Sequence, residues 1–147
     1  MAGVSGDIRA LDALVRKLGD LGPEIRTQCA EVFAEQVRTL VVDGFEKATA
    51  PDGSAWQALS PRTVARRRKR GKGARPLLDT GRLRNSLKIT HDANGVYVST
   101  PVVYAAAHNF GHAQIPARQF LPGGALPSRW RDALDETARD LMEHFLK

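Results

Sequence analysis

One cysteine, Cys29, is all that this 147-residue chain contains. That excludes an intrachain disulfide and any multi-cysteine zinc site. A reducing, cytoplasmic place of synthesis fits such a chain. Long apolar runs are missing as well: no stretch approaches the roughly 20 residues of a membrane-spanning helix, so no membrane partner is expected. The N-terminal sequence MAGVSGDIRA has no basic region followed by an apolar run, which predicts no secretory signal. Phosphate-loop chemistry is absent too. No GxGxxG stands between a strand and a helix, and GKGAR lacks both the Walker spacing and its Ser/Thr. No cofactor is expected.

What is present is ordinary for a globular domain, with 42% hydrophobic and 26% charged residues. The length is most simply one domain with a real core. The net charge of +6, however, is a local property. Residues 62–75, RTVARRRKRGKGAR, hold eight of the 22 basic residues and no acid, leaving 14 basic against 16 acidic residues elsewhere. Such a patch concentrates polyanions or an acidic partner surface around it. A solvated, mobile loop is the plainer reading of the same residues. Arg66, Arg67, Arg68, Lys69, Arg70 and Lys72 are the candidate contacts to DNA or to an acidic partner.

Periodicity predicts helices at both ends and strands between them. Leu11, Leu14, Val15 and Leu18 recur at helical spacing up to a Gly19–Gly22 break. Pro23 then suits a first helical position and Glu24 the positive end of the dipole. From there Ile25, Cys29, Val32, Phe33, Gln36, Val37, Leu40 and Val41 form a stripe reaching about Lys47. On that face Cys29 reads as packing rather than chemistry. Residues 50–56, APDGSAW, make a turn, and Ser60-Pro61 opens a short helix into the arginines that Gly71 and Gly73 stop. From Ser86 the period becomes two, and Asn94-Gly95 between alternating runs predicts a hairpin over about 86–100. A short helix over 103–110, an extended Pro/Gly-rich segment over 113–125 and a final helix from Pro127 complete the chain.

The expected fold is therefore a single α+β domain, with a central antiparallel sheet packed by N-terminal and C-terminal helices. It parses into N-terminal helices (1–48), a turn, short helix and basic loop (49–76), a hairpin and arm (77–125) and a last helix (126–147).

Catalytic constellations are weak. His108 and His112 share a helical spacing suited to a metal, but Gly111 intervenes and no third ligand stands at ligand spacing. Ser86, His108 and Asp79 nominally supply a triad, yet Ser86 is not on a strand-to-helix elbow, and chance offers such a trio in any chain of this length. No enzyme emerges.

Three motifs remain that core-building does not require: LLDTGRLRNSL (77–87), YAAAHNFGH (104–112) and IPARQFL (115–121). Asp79 is placed to cap a Thr80-Gly81 turn, leaving Leu83 and Leu87 inward and Arg82 and Arg84 outward. Tyr104 with three following alanines allows close packing on a neighbouring element or subunit. Phe120-Leu121 beside Arg118 supplies an apolar anchor. Together with Pro51-Asp52-Gly53, Trp56 and Leu59, these motifs over about 40–125 resemble, in order, the phage virion morphogenesis (tail completion) family.

The resemblance implies a structural protein of a tailed phage or phage-derived particle, acting at the head–tail junction. It implies self-assembly into a ring, hexameric in many related junction proteins, with connector and tail proteins as neighbours and packaged DNA in the channel. The protein would then sit at the virion neck or tail end, after assembly in the host cytoplasm. A head-to-tail ring needs two different surfaces on each subunit. Arg82, Tyr104, Arg118 and Phe120 are the candidate subunit or partner contacts. The alternative is a free nucleic-acid-binding protein working through residues 62–75, although that run lacks the interleaved aromatics on which bases stack.

Overall fold

A computed structural model describes residues 16, 19, 20 and 22–145. The helix expected over Leu11, Leu14, Val15 and Leu18 lies outside the described residues. The elements follow the order α1 (Pro23–Lys47), α2 (Pro61–Lys69), α3 (Arg82–Ser86), β1 (Lys88–Asp92), β2 (Gly95–Ser99), α4 (Ala105–Phe110) and α5 (Ser128–Phe145). The α+β architecture is as expected. The antiparallel sheet, among the described residues, is the β1–β2 hairpin alone. No helix of the described residues is long and apolar enough to cross a membrane.

Helix α1 is the spine of the molecule. Pro23 opens it, with Glu24 in the first turn and Lys47 in the last, where each charge opposes the helix dipole. It ends where Ala48 turns left-handed (φ 53°) and the Thr49 amide bonds back to the Gly44 carbonyl at 3.0 Å. Gly44 gives this return room, because a Cβ would lie 3.2 Å from the Thr49 carbonyl oxygen, a tight approach. Cys29, Phe33, Val37, Leu40, Val41 and Phe45 face the core. Val32 does not follow the expected stripe. It is 43% exposed, while Ala30 and Ala34 take the inward positions, so the buried face is rotated towards the small residues.

The hairpin lies against this spine, with both strands contacting α1. Its register pairs Ile89 with Val98 and His91 with Val96 on the covered face, and Thr90 with Tyr97 on the other. The turn residues are Ala93 and Asn94, neither with positive φ. The Asp92 carboxylate fixes the turn by accepting from the amides of Asn94 (2.7 Å) and Gly95 (3.1 Å). Asn-Gly located the turn, but an aspartate side chain builds it.

Helix α5 closes the other side of α1 with Trp130, Leu134, Ala138 and Leu141 inward and Asp132, Glu136 and Arg139 outward. Asp43 on α1 pairs with both Lys47 and Arg129 across this junction. Those partners, the Lys47 hydrogen bond foremost, hold the Asp43 carboxyl below its ordinary pKa. Between these layers Phe45, fully buried, meets the Trp56 ring edge-on at 5.5 Å and the Phe120 ring at 5.5 Å. That aromatic cluster ties α1 to the 50–56 turn and to the arm at 113–121.

Candidate functional site: a basic cleft beside an apolar rim

The arm is placed by a glycine and two hydrogen-bonding side chains. Gly111 ends α4 at φ 79°, ψ 156°, a conformation nearly confined to glycine, and a Cβ there would stand 3.1 Å from the Ala117 amide. The chain turns back through a bridge between His112 and Ile115, and the Arg118 amide donates to the His108 carbonyl at 2.7 Å. Buried Asn109 then accepts the amides of Phe120 and Leu121, each at 2.9 Å. Trp56 donates its indole N–H to the Gln119 carbonyl at 2.8 Å. The amides of Phe120 and Leu121 and the carbonyl of Gln119 are thus satisfied by side chains from outside the arm.

Arg118 and Phe120 are thereby taken inward. Phe120 is 4% exposed and packs in the aromatic cluster, so it is not an outer contact surface of the single chain. The sequence offered this ring as an apolar anchor and a candidate contact residue, because an apolar residue in a loop has no period to show which way it faces. Arg118 is 7% exposed and donates through Nε to the Gln57 carbonyl (2.6 Å) and through Nη2 to the Ala58 carbonyl (3.1 Å). Burial, and then the charge of Arg67, lower its pKa from the ordinary arginine value.

The basic segment is ordered rather than loose. The Ser60 hydroxyl accepts the Thr63 amide at 3.3 Å and caps α2, with Pro61 in the first turn. Gly71 (φ 68°) then lets the chain leave the helix, and the Lys72 amide returns to the Arg67 carbonyl at 2.9 Å. Arg66, Arg68, Lys69, Arg70 and Lys72 are exposed, whereas Arg67 is 8% exposed and reaches the Arg75 carbonyl at 2.8 Å. Only the helical phase, which sets Arg67 one turn from Thr63 and Val64, distinguishes it from its neighbours in sequence.

Asp79 is the carboxylate that the sequence assigned to capping. It instead meets Arg70 (3.3 Å) and, more distantly, Arg67 (3.9 Å). The Thr80 hydroxyl accepts the Arg82 amide at 3.3 Å, and Gly81 (φ 75°) makes the bend into α3. Leu83 is buried and Arg82 exposed, as expected.

These pieces enclose a cleft of about 480 Å³ lined by Arg67, Asp79, Arg82, Tyr104, His108 and Arg118, among others. Three of the four expected contact residues thus converge, with Phe120 behind them as support. His108 packs edge-on against Tyr104 (5.6 Å, 86°), and its Nδ1 is buried without a hydrogen-bond partner among the described residues. Burial, then the Arg118 charge, lower its pKa below the ordinary value. Neutral His108 leaves Arg67, Arg82 and Arg118 facing the single carboxylate of Asp79, so the cleft is positive.

A second, apolar depression of about 300 Å³ adjoins α4, lined by Val98, Val102, Val103, Phe110 and Phe120, among others. Its rim is unusually apolar for a surface: Val103 is 96% exposed and Phe110 57%, and Tyr104, exposed beside Val103, belongs to the basic cleft.

The nominal triad is spent elsewhere. Ser86 donates to the Leu83 carbonyl or shares its proton with Thr100, each at 2.7 Å, and Asp79 serves the arginines. His112 is exposed, and no group of three metal-ligating side chains exists among the described residues.

A positive cleft and an apolar rim thus lie side by side along α4. The chain belongs to the phage virion morphogenesis family, whose model matches residues 7–143. It is accordingly a virion-associated protein with a role in particle assembly. No curated protein and no solved structure matches the chain.

Proposed function

We propose that this protein is a structural tail completion or head–tail joining protein, working without catalysis through ring assembly and partner contacts at the virion neck. The observation that carries this reading is the exposed apolar rim of Val103, Tyr104 and Phe110 directly beside the basic cleft, in a chain of a virion morphogenesis family. Exposed apolar side chains grouped in this way mark protein contacts. The connector and tail proteins, and further copies of the chain, are the proposed neighbours. Arg82 and Tyr104 are the contact residues proper, with Arg118 and Phe120 holding the arm in place beneath them.

The test is particle assembly in a host carrying the phage genome. Val103→Asp and Tyr104→Ala should leave the purified protein folded by circular dichroism yet keep it out of particles. Incorporation of both variants at the wild-type level would refute the reading. Imaging particles by electron microscopy would place the protein at the neck or elsewhere.

A second reading has its own observation, the exposed row of Arg66, Arg68, Lys69 and Lys72. In it the row contacts DNA phosphates. Replacing these four residues should then flatten the salt dependence of DNA binding; an unchanged slope argues against DNA.

A further inference from the structure

The cleft contains more cationic hydrogen-bonding capacity than the chain uses. Arg118 gives two N–H groups to the carbonyls of Gln57 and Ala58, and Arg67 gives one to that of Arg75. A guanidinium has five such donors. The remainder on both side chains have no hydrogen-bond acceptor among the described residues and, unlike the sealed Nδ1 of His108, open onto the cleft, although each residue is more than nine-tenths buried. Asp79, half-open and shared with Arg70, lies 3.9 Å from Arg67, too far for a hydrogen bond. Buried cations are retained at low cost only when paired and fully hydrogen-bonded. The spare donors of Arg67 and Arg118 face the cleft and are available to an incoming anion.

The chain itself carries a matching surface. On α5, Asp132, Glu136 and Asp140 are exposed at successive four-residue steps and take part in none of the ion pairs among the described residues. That spacing aligns the carboxylates along one helix face, on the order of 6 Å apart, with Arg139 the one basic side chain among them. The charge inventory agrees: outside residues 62–75 the chain has an excess of acid, 16 acidic against 14 basic residues. A DNA duplex is a poor occupant, because its phosphates ride on a broad convex cylinder and the two inner guanidiniums are recessed. A carboxylate on a projecting helix reaches in, and its two oxygens match the guanidinium fork.

We infer that the cleft of Arg67, Arg82 and Arg118 is the receptor for the acidic α5 face of a second copy of this chain, with Glu136 as the central carboxylate. The contact is heterologous, cleft to helix, so a pair of copies still has one free cleft and one free helix, and the assembly grows until it closes into a ring. Arg82 at the mouth steers the approach, and the recessed pair completes the hydrogen bonds. The inference rests on the reading of the chain as a self-assembling virion protein.

Light scattering of the full chain across a concentration series tests it. Wild type should self-associate in low salt and return to monomer in about 1 M salt, where the Debye length is about 3 Å. R82E and E136R should each weaken association by about tenfold or more while leaving the circular dichroism spectrum intact. An equimolar mixture of the two variants should associate again, because it restores one native cleft–helix pair. A wild type that stays monomeric, either reversal without effect, or a mixture that stays monomeric would each overturn the contact. So would loss of DNA binding in R82E with self-association unchanged, since the anion would then be a phosphate. A monomeric wild type that still enters particles in a Val103-dependent way would overturn this contact and leave the assembly role standing.

Discussion

Arg118 donates through Nε to the Gln57 carbonyl at 2.6 Å, across 61 residues of sequence. With the second bond to Ala58, this side chain fastens the 113–121 arm to the segment that follows the 50–56 turn. It is the fork that sets the depth of the cleft, and several consequences can be measured.

Arg118→Ala should destabilise the protein by about 2–4 kcal/mol, because it removes a charged donor and strands two carbonyls. Arg118→Lys should cost less, about 1–2 kcal/mol, since an ammonium keeps the charge but loses the fork. Urea denaturation measures both. An Arg118→Ala midpoint equal to wild type would mean that the carbonyls are satisfied without it.

Phe120→Ala should cost about 3–5 kcal/mol, the usual loss for a buried ring. Val103→Ala, at a residue 96% exposed, should fall within about 0.5 kcal/mol of wild type. The pair separates interior from surface within one region. Equal effects in thermal melts would show that the arm is not packed as described.

Gly111→Ala should cost about 2–3 kcal/mol, since it forces a side chain into a region nearly closed to alanine. The clash with Ala117 adds to this, so the local return of the arm should loosen first. Hydrogen exchange at the Arg118 amide, bonded to the His108 carbonyl, would report it. Unchanged protection there would contradict the assigned backbone.

His108 should titrate below the ordinary value of 6.5, because burial and then Arg118 disfavour its charged form. The sign follows directly. A folded pKa below the unfolded one means that the unfolded chain binds the proton first, so this group's contribution to stability falls as pH drops through the unfolded value. An NMR titration of the imidazole should give a midpoint that rises in Arg118→Ala, provided that variant remains folded. A midpoint at or above 6.5 in wild type would rule out the arrangement.

Much of this fold is legible in the chain because its signals are local. Pro23, Ser60-Pro61 and Pro127 mark helix starts through fixed φ and missing donors, and these positions open or immediately precede α1, α2 and α5. Asp92 and Asn94-Gly95 mark the hairpin through side-chain and backbone preferences within four residues. The family resemblance was legible too, since it resides in the order of short motifs.

What only the tertiary structure decided is which residues of similar sequence do different things. Arg67 turns inward while Arg66 and Arg68 remain in solvent. Asp79 pairs with arginines rather than capping the next turn. Phe120 enters the core from a loop. Each outcome depends on partners beyond the local turn, such as Arg75 for Arg67, Arg70 for Asp79 and Phe45 for Phe120. Local preference determines the elements; burial of charge and of rings, which only the assembled chain can balance, determines the cleft.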